Sequence, residues 1–284
     1  MKPSEVLFVA GNVDRLASIK IRCREIAARL GCDCYYNAKT VAEVPAGYKG
    51  YVCVKPDFPR TSLSEFARKG LVVWDILDDT PPTEGVDAYI ASTLFVRALF
   101  ERRLRKRIEV IPHYHCNFTG QLNDGTRRLA AYVGSDHWYP LLDGVEHRKY
   151  FVHRWSREEL VKVYLEIGIS INLRNLSIEG QKWVQTPTDI TPVAVKHIML
   201  NSGIKLINCL GFGIPSVSSV EPAYMEIAPE CTIFTDQLAC GEHLRELAEN
   251  NELYTLMRAR CISEARRFSV ETVVGRYRDL IQSL

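Results

Sequence analysis

The chain has 284 residues, 46% hydrophobic and 25% charged, a globular balance that suits one large domain or two of roughly 100–150 residues each. Its 36 Lys and Arg against 34 Asp and Glu leave a formal charge of +2, which argues against bulk nucleic-acid binding, a task that calls for a strongly basic domain. The nine cysteines include no C-x-x-C pair and no apolar run is long enough for a signal peptide or a spanning helix, so a zinc ribbon and a thioredoxin-type motif are disfavoured and a soluble, reduced, cytoplasmic protein is expected.

In chain order, a short apolar strand at Val6–Ala10 runs into Gly11-Asn12. Helical spacing follows over Ser18–Leu30, with Ile19, Cys23, Ile26, Ala27 and Leu30 on one face and Gly31 as a left-handed cap. Strands are expected at Cys34–Tyr36, Tyr51–Val54, Leu71–Asp75, Asp87–Ala91 and Ile108–Ile111, with helices at Ser62–Lys69 and Thr93–Arg103 between them. Such alternation argues for a parallel sheet covered on both faces. The run Arg102, Arg103, Arg105, Lys106, Arg107 closes the second of those helices. A solvated helix end accounts for it, and so does a surface that meets acidic lipid or an anionic acceptor.

Residues 112–128 are rich in turn formers, and the domain boundary is placed there. The alternation then restarts with a strand at Leu129–Val133 ending in Gly134-Ser135, a strand at Tyr150–His153, a helix from Glu158 capped by Ser156, and a strand at Gly168–Leu173. Arg174 to Thr191 is polar and reads as a loop. Helices at Pro192–Met199 and Gly203–Leu210, a strand at Ser216–Ser219, a short helix at Ala223–Ile227, a strand at Thr232–Phe234 and a helical end over 238–284 complete the chain. The result is two Rossmann-like α/β halves, over 1–112 and 126–267, with a closing helix over 268–284 able to return to the first.

Open parallel sheets bind ligands beyond the carboxyl ends of their strands. The dinucleotide fingerprint G-x-G-x-x-G fails after the first strand, where the chain reads Gly11-Asn12-Val13-Asp14-Arg15, and Gly211-Phe212-Gly213 follows a helix instead of a strand. No P-loop is present either. The most informative stretch runs from Asn201 to Ser219. Asn201 or Ser202 is a good helix cap, Gly203 admits close approach of a ligand to the backbone, and Ile204 and Lys205 open the helix. The free N–H groups there form an anion site, to which Lys205 adds a full charge; a plain surface lysine explains the same residue.

This segment resembles the nucleotide-sugar-binding region of GT-B glycosyltransferases, especially the retaining, family-4-like group. There a lysine-containing helix start leads into a G-x-P turn, a V-V-S-like strand and a short helix ending in Glu. Glu226, in Glu221-Pro222-Ala223-Tyr224-Met225-Glu226, stands at that last place. Val6–Gly11, Val72–Asp79, Val110-Ile111-Pro112-His113, Tyr132-Val133-Gly134 and Phe268-Ser269 are similar, in order, to further parts of the group. The resemblance implies two Rossmann-like domains facing each other across a cleft. It also implies a UDP- or GDP-sugar as substrate, with no metal and no other cofactor. The acceptor is left open among a glycan, a lipid-linked glycan, a small molecule and, less readily, nucleic acid, with peripheral membrane contact allowed.

Within that reading Asn201, Ser202, Gly203, Ile204 and Lys205 take the diphosphate, with Ser135 and His137 as second candidates. Many members carry two Glu eight positions apart around this helix; here Leu200 and Asn208 stand in their places, so the ribose contact falls to Asn208, to Glu221 or Glu226, or is lost. Gly11 and Asn12 are expected beneath the sugar or acceptor, where the missing side chain leaves room, and Arg15, Lys20 and Arg22 toward the acceptor. Asp75, Asp78 and Asp79 suggest a metal by composition, but the spacing is not D-x-D, and Asp78 is read as a contact to a sugar or acceptor hydroxyl. Two other readings fit the same resemblance: a nucleotide-sugar epimerase, and a GT-B-like binding module without catalysis.

Overall fold

The computed structural model describes residues 1–284 except 13–16, 78–79, 137–138, 141, 143, 154, 175–182 and 186–189, and only the backbone at 60, 183–185 and 190–195. The chain divides into two compact units, Met1–His113 with Glu271–Leu284, and Tyr114–Val270.

Unit 1 is built on six parallel strands: β1 (Val6–Ala10), β2 (Asp33–Tyr36), β3 (Gly50–Val54), β4 (Leu71–Ile76), β5 (Ala88–Ala91) and β6 (Arg107–Val110), in the order β2-β1-β3-β4-β5-β6. Every residue of β1 and β3 is buried, as expected where helices cover both faces of a parallel sheet. Between β1 and β2, α1 (Ala17–Ile19) and α2 (Ile26–Leu30) flank a π-helical stretch, Lys20–Glu25. Gly31 closes α2 at φ 76°. The sequence suggests one regular helix here. The π-turn instead contains Arg22, which is 1% exposed and sealed into unit 1 by a buried ion pair. That burial removes Arg22 from the acceptor-facing cations expected above. Helices α3 (Leu63–Phe66) and α4 (Leu94–Leu104) follow, and the Thr93 hydroxyl caps α4 by accepting from the Val96 N–H.

Unit 2 carries a five-stranded parallel sheet of β7 (Ala130–Gly134), β8 (Arg148–Phe151), β9 (Ile169–Asn172), β12 (Ser216–Ser218) and β13 (Thr232–Phe234), in the order β13-β12-β9-β7-β8. Helix α5 (Arg157–Glu166) is capped by Ser156, whose hydroxyl accepts from the Glu159 N–H. The stretch read as a loop contains a short antiparallel hairpin, β10 (Trp183–Gln185) with β11 (Ile190–Pro192). Three-residue strands are too short to display a period of two, so the sequence gives no sign of them. Next come α6 (Val193–Met199), α7 (Ile204–Phe212), α8 (Pro222–Ile227), α9 (Cys240–Glu249) and α10 (Asn251–Ala265). The core of unit 2 includes Tyr132, Ile169, Ile171, Val217 and Leu247 in one cluster and Leu206, Ile207, Leu210, Tyr224 and Phe268 in another.

Helix α11 (Val270–Ser283) returns the chain to unit 1. Tyr277 is fully buried there and its hydroxyl donates to Asp75 Oδ2 at 3.3 Å. Arg22 donates from both Nε and Nη2 to the same carboxylate, at 2.6 and 3.0 Å, and from Nη1 to the Ile111 carbonyl at 2.9 Å. Asp75 is therefore committed to a structural ion pair. Among the described residues no helix is long and apolar enough to cross a membrane.

Candidate functional site

In unit 2 the chain leaves β7 for β8 on one side, and β9 joins β7 on the other. The gap between the carboxyl ends of β7 and β9 is therefore the topological switch point, where doubly wound sheets hold ligands. Gly134 ends β7 and Ser135 follows it, as Leu173 and Arg174 follow β9.

Lys205 reaches this place from the first turn of α7. Its Nζ donates to the Tyr132 hydroxyl at 3.2 Å and lies 4.3 Å from the centre of that ring. Tyr132 in turn donates to the Ser135 carbonyl at 2.8 Å, so one buried phenol positions both the lysine and the loop after β7. Burial pushes the Tyr132 phenol up to about 12, which keeps it neutral and able to donate. A Cβ added to Gly134 would stand 2.5 Å from Lys205 Nζ and 2.8 Å from its Cε. Only glycine leaves room for the ammonium beside this strand end.

Burial, with the nearby positive charge of Arg174, lowers the Lys205 ammonium to about 7, while the Glu221 carboxylate pulls the other way. Glu221 is itself 1% exposed and already engaged. It accepts from Arg174 Nε at 2.9 Å, from Ser219 Oγ at 2.8 Å and from Asn201 Nδ2 at 2.5 Å. Asn201 Oδ1 then accepts from the Gly203 N–H at 3.1 Å. A chain of contacts thus runs Arg174–Glu221–Asn201–Gly203 and fixes the start of α7 relative to the end of β9.

Gly203, not Asn201 or Ser202, is the N-cap of α7, at φ 68°. Asn201, two residues earlier, does not cap the helix: its side chain holds the N–H of Gly203, and α7 starts without a side-chain cap. A Cβ on Gly203 would meet Ile227 Cδ1 at 2.0 Å, so glycine serves close contact with α8 here as well as the left-handed backbone. Asn201 and Ser202 are buried, whereas Ile204 and Lys205 are half-buried. The N–H groups of Ile204, Lys205 and Leu206 have no partner within the helix, by helix geometry. With the dipole they form an anion-binding end.

The remaining candidates fall elsewhere. Asn208 is 6% exposed and its Oδ1 accepts from the Cys116 N–H at 2.9 Å, so that oxygen holds an internal segment. Glu226 sits half-buried on α8, five residues beyond Glu221. Gly11 and Asn12 lie in unit 1 at the end of β1. The room expected at Gly11 is taken: a Cβ there would meet Asp57 Oδ1 at 2.5 Å and the Lys55 carbonyl at 2.7 Å, and the Gly11 N–H donates to that carbonyl. Glycine at 11 admits the 55–57 turn. Arg15, Asp78 and His137 lie outside the described residues. Arg174 and Tyr132 were not singled out from the sequence, Arg174 because it opens a polar stretch and Tyr132 because it sits inside an apolar strand.

Several solved structures share this architecture over nearly their whole length. HepE from Anabaena, crystallised with UDP, aligns over 98% of this chain and 100% of its own at a TM-score of 0.64 and 9% identity. Sucrose-phosphate synthase from Thermosynechococcus elongatus aligns over 98% and 99% at 0.63 and 11%. A glycosyltransferase from Rickettsia africae gives 98% and 97% at 0.62 and 9%. The chain has the GT-B fold. At these identities the likeness is one of fold, and function is argued from the site. No protein-family model matches the sequence, and no curated protein does.

Proposed function

We propose that the chain is a glycosyltransferase that takes a sugar from a nucleoside-diphosphate sugar, the diphosphate resting on the start of α7 between Lys205 and Arg174. The observation that carries this reading is the gathering of a half-buried lysine, a second cation and a helix N-terminus at the switch point of the unit 2 sheet. HepE, which shares the fold, is crystallised with UDP and with UDP-glucose.

The chemistry follows from the charges. As the glycosidic C–O bond breaks, negative charge accumulates on the leaving diphosphate and positive charge on the sugar ring. Donors already in place stabilise the first without reorganising. Lys205, Arg174 and the α7 amides supply that field, so the reading requires no metal, and retention at the anomeric carbon follows from the family-4-like resemblance. The acceptor is a glycan, a lipid-linked glycan or a small molecule.

Calorimetric titration with UDP, GDP and dTDP tests the reading. One of them binds the wild type, and Lys205→Ala weakens it by roughly ten- to a hundredfold, the worth of a charge-assisted hydrogen bond. Absence of binding by all three, or equal binding by the variant, overturns it. Incubating the bound sugar nucleotide without acceptor, followed by NMR, separates transfer from epimerisation.

A further inference from the structure

All nine cysteines are free, and two pairs of them are joined by hydrogen bonds between their side chains. Cys23 lies in the π-helical stretch between α1 and α2, and Cys34 lies in β2, the edge strand of the unit 1 sheet. Cys34 Sγ stands 4.0 Å from the Cys23 carbonyl oxygen, and the two thiols hydrogen-bond to each other. Tyr36, two residues along the strand, shares a face with Cys34, and its hydroxyl reaches the same sulfur. Cys23 is fully buried whereas Cys34 is half-buried, so one sulfur of the pair is open to a small reagent. The hydrogen bond from Cys23, joined by that from Tyr36, lowers the Cys34 thiol to about 7 against the opposing effect of burial. The same contact, with burial, raises Cys23, which keeps its proton and acts as the donor. Cys32, also half-buried, is pushed up to about 11, chiefly by burial. The second pair, Cys231 and Cys261, has both sulfurs in the core, and burial raises Cys261 well above the usual thiol range.

We propose that Cys34 and Cys23 form an oxidation-sensitive pair that hydrogen peroxide converts to a disulfide, Cys34 supplying the attacking sulfur and Cys23 the resolving one. The thiolate, not the thiol, is the nucleophile, and only Cys34 combines thiolate character with exposure and a neighbouring thiol. Its sulfur attacks one peroxide oxygen, the O–O bond breaks, and hydroxide leaves to take up the proton that Cys34 had released, which makes one water. The sulfenic acid that remains on Cys34 is then attacked by the Cys23 sulfur; the S–O bond breaks, and its hydroxyl leaves with the Cys23 proton as a second water. The two thiols are oxidised to the disulfide, and the peroxide is reduced to the two waters. The bridge ties the edge strand to the turn that carries Arg22, and so to the Asp75 and Tyr277 contacts beneath it. The inference does not depend on the donor-site reading, since both cysteines belong to unit 1 and the Lys205 cluster to unit 2.

Brief treatment of the native full chain with dilute hydrogen peroxide tests it, followed by blocking of the remaining thiols with N-ethylmaleimide, digestion without reductant and mass spectrometry. The expected product is a pair of peptides joined through Cys23 and Cys34 and separated by dithiothreitol. Cys32→Ser leaves that product in place and Cys34→Ser abolishes it. Cys23→Ser, shown to be folded by a thermal melt, leaves a sulfenic acid on Cys34 that dimedone traps. Without peroxide, N-ethylmaleimide reacts with Cys34 faster than with Cys32 by about tenfold or more at neutral pH. The wild-type experiment decides the matter even where a variant does not fold. Absence of the Cys23–Cys34 product from folded wild type overturns the proposal. So does a main disulfide that includes Cys32, formation of Cys231–Cys261 ahead of Cys23–Cys34, or equal reactivity of Cys32 and Cys34.

Discussion

At the scale of single residues, Lys205 sets the behaviour of the site. Its ammonium is lowered to about 7, chiefly by burial, and a diphosphate requires it charged. The affinity of wild type for a nucleoside diphosphate is therefore expected to fall as pH rises above about 7, by at most about tenfold per unit, and to flatten in Lys205→Ala. Calorimetry from neutral to moderately alkaline pH measures this, above the range in which the ligand's own phosphate titrates. A wild-type profile as flat as the variant's refutes the role. Stability has the opposite slope. Because the folded pKa lies below that of the unfolded lysine, the unfolded chain binds more protons between the two values, and the ligand-free protein gains stability as pH rises through that window. Lys205→Met removes this gain.

At the scale of elements, the strand end at Gly134 and the loop before α8 hold the cations in place. Gly134→Ala puts a methyl where Lys205 Nζ and Cε now lie, and the flexible side chain yields. The expected outcome is a melting temperature near that of wild type with nucleoside diphosphate affinity reduced by about tenfold, the loss of one well-placed charged contact. A large drop in melting temperature would show that the strand, not the lysine, had moved. Glu221→Ala does more harm, because it strips partners from Arg174, Asn201 and Ser219 at once. Removing the carboxylate partner of a mostly buried guanidinium costs about 3–5 kcal/mol, measurable as a shift of the unfolding midpoint in urea. The alternation of strands and helices was legible because burial on both faces demands short, continuous apolar runs, as in Val6–Ala10 and Tyr51–Val54. The α7 start was legible because glycine, lysine and the Gly213-Ile214-Pro215 turn sit within one window of sequence. Arg174 was not, since its place beside Lys205 depends on the spatial order of β7 and β9, which no local pattern encodes. The π-turn at Lys20–Glu25 was hidden for a similar reason: the partner of Arg22 is Asp75, 53 residues away.

At the scale of the whole molecule, the last helix closes the first unit. Val273, Val274, Tyr277, Leu280 and Ile281 of α11 are all buried in unit 1. Tyr277 stands 6.2 Å from Phe8 and holds Asp75, Arg276 donates to the Val110 carbonyl, and the amino terminus donates to the Ile281 carbonyl at 3.0 Å. Burying an aliphatic or aromatic side chain contributes about 1.5–3 kcal/mol, so five of them amount to most of the roughly 5–15 kcal/mol that keeps a domain folded. Truncation after Val270 is therefore expected to leave unit 1 unable to fold, with Arg22 and Asp75 deprived of the Tyr277 cover, while the internal core of unit 2 keeps every one of its side chains. Limited proteolysis with mass spectrometry distinguishes the outcomes: cleavage sites confined to 1–113 in the truncated chain bear the argument out, and equal protection of both segments refutes it. Tyr277→Phe supplies the graded control. It removes one hydroxyl from a buried carboxylate and keeps the ring, so its cost is limited to about 1–3 kcal/mol, a destabilisation that the full-length chain survives.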